Sequence, residues 1–289
     1  MNNPIKKKVK QLSAERRDRI ERGERSRGVY LLPNLFTTAA LFCGFYAVVA
    51  SMDGNFTRAA YAIFVAMFLD GIDGRVARMT STESQFGKEY DSLSDMISFG
   101  IAPALVIYQW GIDILRELGG FWGKAGWAVA FIYCVCAALR LARFNTNSKQ
   151  IGKRYFQGLP SPAAAGVIAG LILFERTWRF GDYVSMPLAL IITLGAGLLM
   201  VSNIQFRSFK DLNLGGKVPF YVLLVIPAIL ILVGMSPQQN LFLLFFGYAL
   251  SGPIGYILRA VKGQRTESIL PIDVRDQLIG DSHSSDNEE

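Results

Sequence analysis

The sequence predicts an all-α integral membrane protein, a bundle of about eight transmembrane helices preceded by a basic cytoplasmic segment. Of its 289 residues, 51% are hydrophobic and only 18% are charged, whereas an ordinary soluble domain carries about 25% charged residues. Lys and Arg lie at the ends of apolar stretches, as they do in cytoplasmic loops. The net charge of +7 is therefore attributed to membrane orientation. A nucleic-acid partner is not expected, because no basic face interleaved with aromatic residues is found.

The chain divides by composition into three parts. Residues 1–28 form a basic segment that lacks the apolar core of a signal peptide. A cytoplasmic tail is favoured there over an amphipathic helix lying on anionic lipid. Residues 29–262 form the transmembrane domain. Residues 263–289 are polar and end in D-S-H-S-S-D-N-E-E, a composition typical of disorder.

Eight apolar stretches approach the length of about 20 residues that a membrane span requires. They are Leu32–Met52, Thr57–Met79, Asp91–Trp110, Trp122–Phe144, Pro160–Phe174, Tyr183–Val201, Val218–Met235 and Gln239–Val261. Basic connections alternate with short connections that carry little net charge. An even number of spans then places both termini in the cytoplasm.

The scarcity of His and the placement of Cys exclude several kinds of site. The only histidine, His283, lies in the polar tail, so no Ser-His-Asp triad or histidine-rich metal site can form in the apolar domain. Cys43, Cys134 and Cys136 lie inside apolar stretches, at spacings that fit neither a zinc site nor a disulfide framework. Acid–base chemistry must therefore fall to carboxylates.

Four aspartates lie in or beside apolar stretches, where a charge is costly and is usually functional. Asp70 and Asp73 share one helix face, and Asp91 and Asp95, four residues apart, share another. The turn between the two helices is short and polar, which predicts antiparallel neighbours with converging carboxylates. The first face continues through three further residues at helical spacing: Gly74, Ala77 and Arg78.

Four carboxylates this close repel one another unless some are protonated or a cation lies among them. Oxygen ligands without His or Cys favour a hard ion such as Mg²⁺, Mn²⁺ or Ca²⁺. A divalent ion beside a membrane indicates a phosphate substrate. Gly74 would admit a bulky group close to the backbone, and Arg78 could bind a phosphate or a carboxylate. The spacing thus predicts a metal-assisted phosphotransfer site.

The full pattern, Asp70-x2-Asp73-Gly74-x2-Ala77-Arg78-x8-Gly87-x3-Asp91-x3-Asp95, resembles the complete signature of the CDP-alcohol phosphatidyltransferases. The resemblance implies transfer of a phosphatidyl group from a CDP-linked lipid to an alcohol, with release of CMP. It also implies that Asp70, Asp73 and Asp91 bind Mg²⁺ or Mn²⁺, with Ca²⁺ as a substitute that does not support activity. Asp95 would be the general base and could touch a second metal ion. The cytidine and pyrophosphate side would be lined by Asp70, Gly74, Ala77 and Arg78.

Other stretches are similar to the serine-accepting branch of that family. They are P-N-L-F-T-T at 33–38, S-F-G-I-A-P-A at 98–104, A-L-R-L-A-R-F-N at 138–145, G-L-P-S-P-A-A-A at 158–165 and S-N-I-Q-F-R-S-F-K at 202–210. This similarity implies CDP-diacylglycerol and L-serine as substrates. It further implies a homodimer in the inner membrane of a prokaryote, with the active site facing the cytoplasm.

Several residues are candidates for binding the acceptor, and each has an alternative role. Arg140 and Arg143, with Asn145, could bind serine or a phosphate, and the two arginines could equally be interfacial anchors. Asn34 could reach the nucleotide or cap the first helix. Ser161 is favoured as a helix cap. Two further basic residues are favoured as interface charges: Arg207 and Lys210.

Two alternatives to serine transfer remain. The first keeps the reaction but changes the acceptor to glycerol phosphate, inositol phosphate or choline. A phosphorylated acceptor would need more cationic side chains, and choline would need an aromatic or acidic cage. The second is a cation-coupled transporter, which is disfavoured because transport sites usually lie at the bilayer midplane. Direct displacement is favoured over a covalent intermediate, since no evident Ser, Cys or His nucleophile is placed.

Overall fold

The computed structural model describes residues 27–80, 84–117, 119–147, 155–178, 181–207 and 234–261. The predictions for the basic segment before residue 27, for the tail 263–289, and for Lys210 concern residues outside these ranges. All but the last two residues of the seventh predicted span, Val218–Met235, also lie outside them.

The described residues are almost entirely helical. Two long helices, α1 (Arg27–Met52) and α2 (Phe56–Thr80), are joined by a tight turn, in which Gly54 has a φ of 72°. The next helix begins as α3 (Gln85–Asp95), widens into a π-helical segment (Met96–Ile101) and continues as α4 (Ala102–Glu117). The remaining helices are α5 (Gly120–Asn147), α6 (Ser161–Trp178), α7 (Asp182–Val201) and α8 (Pro237–Val261).

A small sheet adds to the predicted all-α fold. Strands β1 (Tyr155–Gln157) and β2 (Gln205–Arg207) pair antiparallel, with Phe156 opposite Phe206. Three-residue strands are too short to show an alternating pattern, and their partners are distant in sequence, so the sequence does not reveal them. Gly158 follows β1 with a φ of 77°. A Cβ there would overlap the Met200 carbonyl oxygen, so this close approach requires glycine.

Four helical segments among the described residues are long and apolar enough to cross a membrane: Pro33–Met52, Gly120–Thr146, Val184–Val201 and Pro237–Arg259. The protein is therefore an all-α integral membrane protein. The number of eight spans stays a prediction. The second predicted span coincides with α2, which is less apolar because it carries five charged residues. The third predicted span, Asp91–Trp110, lies within the continuous helical run from Gln85 to Glu117.

Helix α6 is the centre of the bundle. Every residue from Ala163 to Leu173 is buried, and α6 packs against α2, α7 and α8. Small residues allow close contact with α8: a Cβ on Gly170 would lie 2.8 Å from the Phe242 Cα. Helices in membranes rely on such small residues, because lipid supplies no hydrophobic force to drive them together.

Helix α1 makes a similar close contact with the π-helical segment. A Cβ on Gly44 would lie 2.8 Å from the Ser98 Cα and 2.6 Å from its Oγ. We expect Gly44→Ala to lower the free energy of unfolding by about 1–3 kcal/mol, because backbone must move to admit the methyl group. Thermal unfolding in detergent measures the change. The matched control is Gly247→Ala on α8, where a Cβ meets nothing within 4 Å; equal losses in both variants would contradict the expectation.

Candidate active site

Three carboxylates from two helices converge on one point. Asp70 comes from α2, and Asp91 and Asp95, one helical turn apart, come from α3. Each offers an oxygen, and these oxygens all lie within 4.8 Å of one another. The i, i+4 spacing places the two α3 carboxylates on one face of that helix.

Two oxygens of this cluster are buried without a partner. Among the described residues, nothing donates a hydrogen bond to Asp91 Oδ1 or Asp95 Oδ1. A buried polar atom normally has a partner, and three carboxylates at this separation need either a proton or a cation among them. A hard divalent cation bound by oxygen ligands satisfies both requirements, so the cluster fits a metal centre held by Asp70, Asp91 and Asp95.

Asp73 is buried on α2 but does not join this cluster within 4.8 Å. The Thr37 hydroxyl of α1 donates a 2.7 Å hydrogen bond to its Oδ2. Because Asp73 accepts this hydrogen bond and lies outside the cluster, its role as a metal ligand stays a prediction. Helical spacing alone does not predict this role for Thr37, which lies in the P-N-L-F-T-T stretch at 33–38.

Helix α1 also connects to α3. The Ser94 hydroxyl donates to the Thr37 carbonyl over 3.2 Å, and the hydroxyls of Thr38 and Tyr90 share a hydrogen bond of 2.9 Å. Thr37 therefore links Asp73 on α2 to the helix that carries Asp91 and Asp95. No sequence pattern indicates a role for Ser94.

The side chains predicted for the nucleotide lie at the same end of the bundle. Arg78 is exposed, and its Nη1 would lie 3.5 Å from a Cβ on Gly74, the nearest atom to that position. Ala77 is half-buried. Asn34 Oδ1 would lie 3.4 Å from a Cβ on Gly87, near the start of α3. The surface above Gly74 is therefore open, with a guanidinium beside it.

The residues predicted for the acceptor make three different contacts. Arg140 Nη1 donates to Ser161 Oγ over 2.7 Å, so the serine predicted as a cap accepts from this arginine at the first residue of α6. Arg143 Nη1 donates to the Val201 carbonyl over 3.0 Å, which binds α5 to the end of α7. Asn145 Nδ2 donates to the hydroxyl of Ser92, next to Asp91, over 3.0 Å. The Arg207 side chain is outside the described part of the chain.

A comparison with protein families identifies the domain that carries this site. The model of the CDP-alcohol phosphatidyltransferase family matches residues 30–201, more than half of the chain. The chain belongs to the CDP-alcohol phosphatidyltransferase family. The matched region contains the whole motif from Asp70 to Asp95 and all of the helices that form the carboxylate cluster.

Curated relatives of this family member extend the match. A protein of Helicobacter pylori (strain ATCC 700392 / 26695) is 36% identical over 236 residues, covering 81% of this chain and 94% of the relative. One from Methanocaldococcus jannaschii is 35% identical, covering 68% and 82%, and one from Bacillus subtilis (strain 168) is 32% identical, covering 62% and 91%. Each is named CDP-diacylglycerol–serine O-phosphatidyltransferase.

As a member of this family, the protein is a membrane transferase of phospholipid biosynthesis. The family is generally dependent on a divalent metal ion, in agreement with the carboxylate cluster. The hypothesis of a cation-coupled transporter is set aside, because the family is one of phosphotransferases.

The contact between Thr37 and Asp73 predicts a second effect of mutation. Thr37→Val keeps the shape of the side chain but leaves Asp73 Oδ2 without its 2.7 Å donor. A hydrogen bond to a charged group contributes about 1.5–3 kcal/mol, so we expect a comparable loss of stability together with reduced transferase activity. Thermal unfolding and CMP release measure the two effects. Thr146→Val is the control, because that hydroxyl donates only to carbonyls of its own helix; an active, stable Thr37→Val protein would contradict the role.

Proposed function

We propose that this family member is a phosphatidylserine synthase, which transfers the phosphatidyl group of CDP-diacylglycerol to the hydroxyl of L-serine and releases CMP. The reaction type is inferred from the cluster of Asp70, Asp91 and Asp95 within a complete family motif. The choice of serine is supported by the names of relatives that are 32–36% identical.

The aspartates of the motif are proposed to hold a divalent cation, Mg²⁺ or Mn²⁺, while Ca²⁺ would bind without supporting activity. Asp70, Asp91 and Asp95 supply the converging oxygens, and Asp73 is added on the strength of the motif. When bound, such an ion neutralises charge that develops on the phosphate groups during transfer. The two unpartnered oxygens, Asp91 Oδ1 and Asp95 Oδ1, support this assignment.

Asp95 is proposed as the general base. Its carboxylate lies in the cluster and offers two oxygens, so the oxygen that does not bind the ion would accept the proton of the serine hydroxyl. The serine oxygen then forms a bond to the lipid phosphorus. The bond from that phosphorus to the bridging oxygen of the pyrophosphate breaks, and CMP leaves with the electron pair. Asp91, one helical turn away, adds a second carboxylate beside the proposed base.

The CDP-lipid is proposed to lie over the exposed end of α2. Gly74 and Ala77 leave room for the pyrophosphate close to the helix backbone, and the Arg78 guanidinium beside them supplies positive charge. Asn34 lies near Gly87 at the start of α3 and is proposed to contact the nucleotide.

The serine carboxylate is proposed to bind Arg140. This arginine is half-buried on α5, and its Nη1 contact with Ser161 fixes the orientation of the guanidinium. The other two candidates have contacts that hold the scaffold: Arg143 with the end of α7, and Asn145 with Ser92. They are kept as part of the proposed acceptor side because they lie at the same end of α5.

The wider organisation is also proposed. Residues 29–262 would form the catalytic membrane domain, with both termini in the cytoplasm and the active site facing the cytoplasm of a prokaryote. The basic connections along the sequence support this orientation. A homodimer in the inner membrane is proposed from the family resemblance.

The test is acceptor-dependent release of CMP. Purified full-length protein in detergent is given Mn²⁺ or Mg²⁺ and CDP-diacylglycerol, together with one alcohol at a time: L-serine, glycerol phosphate, inositol phosphate or choline. We expect CMP with L-serine and chelator-sensitive turnover. CMP with a different alcohol would overturn the choice of serine, and turnover that survives complete removal of divalent ions would overturn the metal assignment.

A further inference from the structure

The helix that carries Asp91 and Asp95 changes its geometry directly after the second of them. The π-helical segment Met96–Ile101 is inserted between α3 and α4 in one uninterrupted run of helix. A π-helical turn accommodates one more residue than an α-helical turn and is often found at functional sites. One residue corresponds to about 100° of rotation in an α-helix. The segment therefore sets the rotation of α3 relative to α4.

That rotation matters for the carboxylate cluster. If Met96–Ile101 adopted α-helical geometry, α3 would turn by about 100° relative to α4. Asp91 and Asp95 would then leave the face on which they lie within 4.8 Å of Asp70. The residues of α4 cannot rotate instead without cost, because Ala102 and Val106 are fully buried in the core.

The wide turn is held from two sides by buried hydroxyl groups. On one side, Tyr133 of α5 is fully buried, and its hydroxyl donates a 3.0 Å hydrogen bond to the Phe99 carbonyl. On the other side, the fully buried Ser98 donates from Oγ to the Ala40 carbonyl of α1 over 3.2 Å. Both hydrogen bonds connect the π-helical segment to a neighbouring helix, and neither is a backbone hydrogen bond within the segment itself.

Close packing prevents the tyrosine from moving away. A Cβ on Gly197 of α7 would lie 3.2 Å from the Tyr133 Cα, so α7 lies directly behind α5 at this point. The turn itself is also in contact with α5, since a Cβ on Gly100 would lie 3.2 Å from the Ala137 Cβ. Tyr133 is therefore packed against α7 through its backbone while its hydroxyl contacts the Phe99 carbonyl.

We propose that Tyr133 and Ser98 are positioning residues, whose hydroxyls hold the π-helical turn and thereby keep Asp91 and Asp95 in the metal-binding cluster. Neither residue belongs to the aspartate motif, and neither is assigned contact with substrate. The inference rests on the proposed function in one respect, namely that the cluster binds a divalent cation.

The test measures Mn²⁺ binding to the purified full-length protein without substrates. Binding is monitored as the loss of the EPR signal of free Mn²⁺. We expect Tyr133→Phe to weaken Mn²⁺ binding about tenfold or more, the range found when groups that orient metal ligands are removed. The Mn²⁺ concentration for half-maximal CMP release should rise by the same factor, with activity recovering at high Mn²⁺. The matched control is Tyr108→Phe, a half-buried tyrosine on α4, which should bind Mn²⁺ as the wild type does.

Wild-type Mn²⁺ affinity in a folded Tyr133→Phe protein would overturn the inference. If that variant is not monodisperse in detergent, Ser98→Ala decides, and unchanged Mn²⁺ affinity there would overturn it instead. Asp70→Asn separates this failure from failure of the proposed function. If the wild type binds Mn²⁺ and Asp70→Asn does not, an unaffected Tyr133→Phe protein refutes only the positioning role. If the wild type binds no Mn²⁺, the metal assignment and the inference fall together.

Discussion

Asp95→Asn is expected to abolish phosphatidyl transfer while CDP-diacylglycerol still binds. The substitution keeps the size of the side chain and one oxygen but removes the carboxylate that is proposed to accept the serine proton. General-base catalysis typically contributes about 10²–10⁴-fold to a rate, so CMP release with L-serine should fall by at least that range. Binding of the CDP-lipid, measured by its protection against thermal unfolding, should change little because the proposed nucleotide side lies along Gly74 and Arg78.

Asp113→Asn is the control for this experiment. Asp113 lies on α4, its side chain is 90% exposed, and its ionic contact is with Arg116 on the same helix. Its loss should leave CMP release unchanged. Turnover near the wild-type rate in the Asp95→Asn protein would show that another group takes the proton.

Asp91→Asn is expected to inactivate the enzyme and to stabilise its metal-free form. Three carboxylate oxygens within 4.8 Å of one another repel when neither a cation nor a shared proton lies among them. An amide at position 91 removes one of the charges and can donate a hydrogen bond to a neighbouring carboxylate. We expect the Tm in chelator to rise by a few degrees, corresponding to about 1 kcal/mol. The further rise in Tm that Mn²⁺ gives the wild type should disappear.

Glu89→Gln provides the matched removal of charge from the same helix. Glu89 is exposed on α3, so its neutral variant should keep both activity and the Mn²⁺-dependent rise in Tm. A lower Tm in chelator for Asp91→Asn than for the wild type would contradict the idea that these carboxylates are held together against repulsion.

The sequence was sufficient for the composition of the candidate site but not for its arrangement. Helical spacing brought Asp91 and Asp95 to one face, and the structure has both beside Asp70. Spacing also grouped Asp73 with them, yet that carboxylate accepts from Thr37 on α1. A helical face is broad, and only the positions of neighbouring helices decide which part of it each side chain occupies.

The same limit applies to the scaffold. Seven of the eight apolar stretches coincide with described helices, although the helices extend beyond several of them, as Gln85–Glu117 does beyond Asp91–Trp110. They gave neither the antiparallel pair β1–β2 nor the π-helical segment at Met96–Ile101. Short strands and a single wide turn leave no periodic pattern in a sequence.

The sequence by itself determined that this protein is a helical membrane protein with a carboxylate-rich phosphotransfer motif, because hydrophobicity and fixed spacing are properties of local chain segments. Only the tertiary structure decided how the motif is held. The hydrogen bonds of Thr37 with Asp73, Ser98 with Ala40, and Tyr133 with Phe99 join residues 34–58 positions apart. Such contacts depend on the rotation and depth of each helix against its neighbours, which are set by packing and not by the spacing of residues within one helix.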